Sequence, residues 1–397
     1  GAASGASPTR AGDCGGNTGI TFPAPKTVYW NLAGDRNWSN TGWATGSGGT
    51  PNINNFPLAQ DTAVFDNTGA ITSMNIDAAW NIGTMNGSAR TSALNLSVQS
   101  GASTSVYGNW LFGSGMAGSS ATNGTLVFSK NGTQTITSNG VQFGGFLTIN
   151  HPLGNVQLAD ALSLAKTLTL TTGTFDAVTY NVTTGVFSNS TTSNTLRMGS
   201  GTWSLSGTGT VWQCFQKPIL ISGTSTIVLT DTSTSSRTFD SGGSSSYYNK
   251  LTIGGSTGTS SLTIFGTNAS FGELASTKTV AHTIIFQNSN TFTIGKWAVT
   301  GTVGNVVSVN SNASGAAYTI SIAGPANSGI NYLSVRDCAV STTSPGEFYV
   351  GANSTNVSNN TGSIFFTATP ASRTLYWVGG TGNWSSTTKW STSSGGG

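Results

Sequence analysis

The residues that could perform acid–base chemistry in this chain are few and far apart. The 397-residue sequence holds 12 carboxylates and two histidines. Enzymes that cleave glycosidic bonds use a pair of carboxylates beside a groove. Asp61 and Asp66 bracket one short apolar run, and Asp231 and Asp240 flank the loop TDTSTSSRTFD. Hydrogen bonding within turns is the more ordinary use of such residues, so we expect no catalytic residues and no enzyme activity.

The two histidines give no stronger indication of catalysis. A Ser-His-Asp triad would need His151 or His282, and no G-x-S-x-G sequence surrounds a serine near either. We expect both to be surface residues with ordinary hydrogen bonds. Calcium would need several oxygen ligands, and the acidic repeat GGxGxD does not occur in the sequence. We therefore expect no metal site and no cofactor.

Three cysteines, Cys14, Cys214 and Cys338, show neither CxxC nor Cys/His spacing, which argues against a zinc site. Two interpretations stay open. They are buried small hydrophobic residues, or two of them form a disulfide and leave the third thiol free or bonded to another chain.

Tryptophan is the residue whose spacing is most informative. Trp30, Trp38 and Trp43 recur as Trp377, Trp384 and Trp390. Such a cluster is either an aromatic platform that stacks on sugar rings or a structural cap over the open end of a repeat fold. Terminal coils expose apolar core and strand edges, and large aromatic side chains cover much area. The recurrence favours the cap.

The tryptophans belong to a longer repeated phrase. KTVYWNLAGDRNWSNTGWATGSGG near the start matches RTLYWVGGTGNWSSTTKW at the end, and GNTGITF (16–22) resembles NNTGSIFF (359–366). Trp30 and Trp377 are 347 positions apart, and self-similarity over a period of this length indicates a whole-domain repeat. We expect four parts: residues 1–27 (end of a preceding module plus linker), 28–66 (Trp-rich cap), 67–366 (body) and 367–397 (linker and start of the next module).

Composition excludes several classes of protein. Charged residues make up 7% of the chain and aromatic residues 10%, so charge is scarce but the aromatic content is too high for disorder. The net charge of +3 is dispersed, which argues against nucleic-acid binding. No run of about 18 apolar residues exists, so no membrane-spanning segment is expected. The chain begins with Gly, and we expect it to be a processed or excerpted piece.

Short alternating segments separated by turn residues fill the body. Examples are GTLVFSK (124–130), FLTINH (146–151) and YTISIAG (318–324). This pattern predicts an all-β fold. A β-solenoid, similar to a parallel β-helix, fits the short strands. It also fits the scarce charge, because stacking of neighbouring coils would place charges of the same sign next to one another. Coils of about 20–25 residues would give about 12–15 coils. A β-sandwich array is the alternative.

Several of these strings resemble one known family. LTINHPLGNVQLADALSLAKTLTLTTGTFDAVTYNVTTGVF and LYWVGGTGNWSSTTKW are similar to large bacterial and bacteriophage surface proteins with repeated YWVGGTGNW modules. The resemblance covers most of residues 28–397, and the first copy departs from it with NLAGDRNW. It implies surface-exposed or virion-associated β-helical repeat proteins and does not imply an enzyme.

The sequence therefore predicts an extracellular structural repeat protein that forms a rod or filament, as in a bacterial surface adhesin or matrix fibre. Its expected partners are copies of itself, head to tail. A bacteriophage tail fibre and a cell-surface glycan-binding module are alternatives, and a tail-spike-like glycan hydrolase is a more distant one.

Overall fold

The computed structural model describes residues 12–118, 124–189, 191–192, 194–214, 218–243, 246–322, 328–341, 347–371 and 373–395. Strand accounts for 47% of the structure and helix for 2%. The helical residues form two single turns of 3-10 helix, Ile53–Asn55 and Thr387–Lys389. No helix in these ranges is long and apolar enough to cross a membrane.

The strands are short and follow one another closely along the chain. The first group is β1 (Thr27–Trp30), β2 (Gly34–Asn37), β3 (Trp43–Ala44), β4 (Thr62–Val64), β5 (Ile71–Ile76), β6 (Asn81–Ile82), β7 (Thr84–Asn86), β8 (Leu94–Val98), β9 (Ser103–Val106), β10 (Trp110–Leu111), β11 (Met116–Gly118), β12 (Thr125–Phe128) and β13 (Gly132–Thr137). The second is β14 (Gln142–Phe143), β15 (Phe146–Leu158), β16 (Leu162–Leu164), β17 (Thr167–Asp176), β18 (Val182–Thr184), β19 (Val186–Asn189), β20 (Asn194–Arg197), β21 (Thr202–Leu205), β22 (Gly209–Gln213), β23 (Ile219–Ile221), β24 (Thr226–Leu229), β25 (Arg237–Asp240) and β26 (Tyr247–Ile253). The third is β27 (Leu262–Phe265), β28 (Ser270–Ser276), β29 (His282–Phe286), β30 (Thr291–Ala298), β31 (Val307–Ser311), β32 (Tyr318–Ile322), β33 (Leu333–Arg336), β34 (Cys338–Val340), β35 (Phe348–Tyr349), β36 (Thr355–Ser358), β37 (Thr361–Gly362), β38 (Ile364–Phe365), β39 (Tyr376–Trp377) and β40 (Trp390–Ser391).

These strands stack into three parallel ladders. The first ladder runs through β1, β4, β7, β10, β13, β15, β17, β20 and β23. The second runs from β6 through β9, β12, β15, β17 and β19 to β36. The third begins with β2, β5, β8 and β11 and continues beyond them from β14 to β37. The long strands β15 and β17 belong to the first two ladders and join them into one sheet.

The ladders define a β-solenoid of about 13 turns. Paired residues lie one coil apart in sequence, for example Leu162 with Val182 and Ile294 with Ile322. The predicted β-solenoid is therefore confirmed. The alternative, a β-sandwich array, is wrong: the ladders are parallel, and the antiparallel strand pairs in the described ranges are only β1 with β3 and β39 with β40.

Alternation of apolar and polar residues decides which side of each strand faces inward. Val182, Trp203, Ile227, Leu251 and Leu274 are successive partners in the third ladder, and each is buried. The residues between them along the strands are mostly threonine and serine, and they are more exposed. Each coil therefore contributes one layer to a continuous apolar core.

The corner after β17, β20 and β23 repeats one backbone conformation on three coils. Val178, Gly199 and Gly223 occupy it with φ of 57°, 70° and 56°. A Cβ built at Gly199 would lie 1.8 Å from the carbonyl oxygen of Val178, so only glycine fits there. Val178 is 41% exposed, but a β-branched residue is strained in this left-handed region.

Relief of this strain should stabilise the protein. Val178→Asn should raise the free energy of unfolding by about 1 kcal/mol, because asparagine tolerates the left-handed region that costs other residues about 1–2 kcal/mol. Val303→Asn is the matched control, since Val303 is an exposed loop valine with ordinary φ. Chemical denaturation followed by circular dichroism measures both. Equal stability changes in the two variants would contradict the strain at Val178.

Candidate functional site

The N-terminal tryptophans form a closed cluster inside the first coil. We call Trp30, Trp38, Trp43 and Phe65 the Trp cluster. Each of the three tryptophans is 1% exposed. The ring of Trp43 lies 5.0 Å from that of Trp30 and 4.9 Å from that of Trp38, edge to face, and 5.6 Å from that of Phe65. No ring face in this cluster is open to a sugar, so Trp30, Trp38 and Trp43 are not a stacking platform. They fill the interior of the first coil.

Strand pairing and one glycine hold the cluster together. Trp30 pairs with Trp43 across the antiparallel strands β1 and β3. On its other edge β1 pairs in parallel with β4, which brings in Phe65, the residue directly after β4. A Cβ at Gly42 would lie 2.6 Å from the Trp30 indole, so only glycine allows the chain to pass this close. The indole N–H of Trp30 donates to the Leu32 carbonyl at 2.9 Å.

The C-terminal copy folds into the same hairpin but is not covered. We call Tyr376–Ser391 the second hairpin. Trp377 pairs with Trp390 in the same antiparallel register, with ring centroids 5.2 Å apart and planes at 84°, against 5.0 Å and 85° for Trp30 and Trp43. Trp384, however, is 81% exposed and Trp377 is 36% exposed. In the described residues the second hairpin has no strand in the place of β4 and no ring in the place of Phe65.

A buried arginine secures the turn between β4 and β5, and the sequence pattern did not indicate it. The Arg90 guanidinium is 2% exposed and donates to five backbone carbonyls, among them those of Gly69 at 3.0 Å and Ser92 at 2.9 Å. It fastens the loop that leaves the Trp cluster to the next coil. Arginine has five N–H donors, which matches this number of acceptors.

The carboxylates singled out in the sequence accept hydrogen bonds from backbone N–H groups and a serine hydroxyl. Asp61 is buried and accepts two backbone N–H groups, at 2.8 and 2.9 Å. Asp66, Asp231 and Asp240 each accept a hydrogen bond from the residue two positions ahead. Their geometry is that of local turn stabilisation.

His282 is buried, so the expectation of a surface residue is wrong for it. Its side chain lies with Nδ1 2.9 Å from the Val280 carbonyl oxygen and Nε2 3.0 Å from Ser276 Oγ. The carbonyl can only accept, so Nδ1 carries the proton and Nε2 accepts from the serine in the neutral ring. Burial, together with the charges of Lys278 and Arg237, lowers the pKa of His282 below its ordinary value.

Lys278 and Arg237 both contact the buried hydroxyl group of Ser260. Arg237 Nη2 donates to Ser260 Oγ at 2.7 Å, and Lys278 Nζ lies 3.3 Å from the same oxygen. Lys278 also donates to the Gly255 carbonyl at 3.2 Å. Burial and the neighbouring Arg237 lower the pKa of Lys278 to about 8. The arrangement ties the loops of successive coils together, since its members come from three turns of the solenoid.

All three cysteines are free in the structure. Cys14 is half-buried, and Cys214 and Cys338 are fully buried. Burial raises the pKa of the Cys214 and Cys338 thiols to about 12, so both stay protonated and poorly reactive.

Within the described ranges, no group of three or more His, Cys, Asp or Glu side chains is arranged to hold a metal ion.

No family model, curated protein or solved structure matches this chain.

The two hairpins provide a matched pair of tryptophans for testing the cap. Trp38→Ala should lower the free energy of unfolding by about 3–5 kcal/mol, because it opens a cavity in a closed cluster. Trp384→Ala, at the equivalent position of the second hairpin, should change it by less than about 0.5 kcal/mol, because that ring is exposed. Urea denaturation measures both, and similar losses in the two variants would contradict the assignment.

The buried imidazole of His282 should make the free energy of unfolding depend on pH. Because its folded pKa lies below the ordinary 6.5, there is a window in which the unfolded chain binds a proton and the folded chain does not. The free energy of unfolding should therefore fall as pH is lowered through 6.5. Thermal melts between about pH 8 and 5 should show a shallower decline for His282→Gln. Ser276→Ala should keep most of the slope, because the ring stays buried. An unchanged slope in His282→Gln would contradict this origin.

Proposed function

We propose that this chain is an extracellular structural protein that forms a rod and assembles head to tail into a filament. The fold supports this: a β-solenoid is compatible with an elongated, fibre-like protein. About 13 turns at about 4.8 Å each give a rod body of about 60 Å. A bacterial surface adhesin or matrix fibre and a bacteriophage tail fibre would use the same rod.

The observation that carries the proposal is the contrast between the two Trp hairpins. The first is covered by β4 and Phe65 and is closed to solvent. The second has the same internal geometry with its tryptophans exposed. A preformed aromatic hairpin fits the start of a further coil. The occupant of its open edge is then a strand followed by an aromatic residue, equivalent to β4 but not β4 itself, because β1 and β7 already pair with both edges of β4.

The other repeated segment supports the same order of modules. Strand β38 (Ile364–Phe365) pairs with β35, and Phe365 stacks on Tyr349 at 5.0 Å. The matching residues 16–22 form no strand in the described part of the chain, and Ile20 is exposed. Among the described residues, one copy of each repeated segment is thus paired and the other is exposed. In the proposed filament the second hairpin of one unit contacts the start of the next unit, and a heterologous contact of this kind does not close and generates a linear array.

Catalysis plays no part in this proposal. The carboxylates and His282 are held by local hydrogen bonds that a structural role explains. Turnover of bacterial surface polysaccharides in a reducing-end assay, lost on Asp240→Asn, would instead favour the hydrolase alternative.

Removal of the second hairpin should shorten the assemblies. The intact chain should form linear particles longer than one rod body in electron microscopy and in light scattering. A chain that lacks residues 374–397 should remain a single rod, and Trp377→Ala should weaken assembly, because each removes apolar surface from the contact. Ile219→Ala, an exposed apolar residue on the side of the rod, is the control and should assemble normally. Equal assembly of the intact and truncated chains, or no assembly of either, would overturn the proposal.

A further inference from the structure

A cleft lies beside the Trp cluster, on the outer surface of the first coils. Its volume is about 510 Å³, within the range of about 300–1,000 Å³ that is usual for small-molecule sites. Apolar side chains form its floor, notably Phe56, Pro57 and Trp80. Neutral polar side chains surround them: Ser39, Asn40, Thr41, Asn52 and Asn81.

The aromatic part of the floor is held in place. The rings of Phe56 and Trp80 lie 5.0 Å apart with their planes at 54°, and both side chains are half-buried against the core. The Trp80 indole N–H donates to Asp77 Oδ1 at 3.1 Å, and Asp77 is itself bonded by Ser39. Packing against Phe56 and the indole hydrogen bond to Asp77 thus fix the orientation of the partly exposed Trp80 ring in the absence of a ligand.

The polar rim keeps hydrogen-bonding groups available. Asn40 and Asn52 use their side-chain oxygens to accept backbone N–H groups at 2.9 Å each. Among the described residues, no protein acceptor is bonded to the side-chain NH₂ groups of these two asparagines, nor to the amide of Asn81. All three residues are exposed. The rim therefore presents amide donors beside an apolar floor.

The lining also carries no charge. Every residue around the cleft is neutral at pH 7. Burial opposes ionisation of the nearby Asp77, but hydrogen bonds from Ser39 and Trp80 hold its pKa below the ordinary value, and its oxygens are used by those two residues. An anionic or cationic ligand would find no partner here. A neutral ligand with flat apolar faces and many hydroxyl groups would match both the floor and the rim.

We propose that this cleft binds a neutral saccharide unit, with Trp80 and Phe56 against the sugar ring and Asn40, Asn52 and Asn81 bonded to its hydroxyls. This site goes beyond a purely structural rod and does not depend on head-to-tail assembly. It also differs from the tryptophan platform considered in the sequence, since the Trp cluster lies behind the cleft and is closed.

Isothermal titration calorimetry of the full chain with cellotriose, maltotriose and chitotriose tests the site. At least one of these neutral trisaccharides should bind. Trp80→Ala should weaken that binding at least tenfold, while Trp80→Phe should retain most of it, because a flat ring remains. Asn81→Ala, a surface change that leaves the fold intact, should weaken binding as well. Trp384→Ala, which removes an exposed tryptophan elsewhere, should have no effect.

Each other outcome overturns the proposal. Absence of binding to all three sugars excludes a neutral saccharide site for these ring types. Binding that is lost in Trp384→Ala but kept in Trp80→Ala places the sugar on the second hairpin. Binding that appears only after removal of residues 1–11 makes the protein's own N-terminal segment the occupant. Preference for heparin over the neutral sugars contradicts the uncharged lining.

Discussion

Side chains in the strand ladders have, as their closest neighbours, the residues one coil before them and one coil after them. Parallel strands about 4.8 Å apart impose this on every position within the ladders. Apolar residues then stack on apolar residues, and a charge on one coil faces whatever stands on the next. Where charges do occur in register they alternate: Glu273 lies between Lys250 and Lys296, at 2.9 and 3.3 Å. The scarcity of charge follows from this constraint.

The first coil differs, because in the described residues β1 has a parallel neighbour, β4, on one edge only. The antiparallel β3 and the Trp cluster replace the missing neighbour at that end. They cover the core with rings instead of another coil. The second hairpin shows that the local geometry of this device needs neither β4 nor Phe65, since Trp377 and Trp390 meet at nearly the same distance and angle without them.

Much of the fold could be predicted because the side-chain period is two and the coil repeat is regular. The alternation predicted the β-solenoid, and it also contained the information that His282 is buried: in β29 that residue shares the inward side with Ile284 and Phe286. The error came from judging the histidine by type and not by position. Val178 and Trp80 could not be predicted in this way, because both lie in turns where no period operates. The role of Arg90 could not be predicted either. Its five acceptors are backbone carbonyls, and no residue type in the sequence identifies them.

Strands β26 and β28 pair over two separate runs, Tyr247–Tyr248 with Ser270–Phe271 and Lys250–Ile253 with Glu273–Ser276. Strands β28 and β30 repeat this division. Together with the second ladder, these coils therefore have three paired runs, as do the coils around β17. A pull along the axis would be shared by three rows of backbone hydrogen bonds, so rupture of one row would leave two others holding neighbouring coils together.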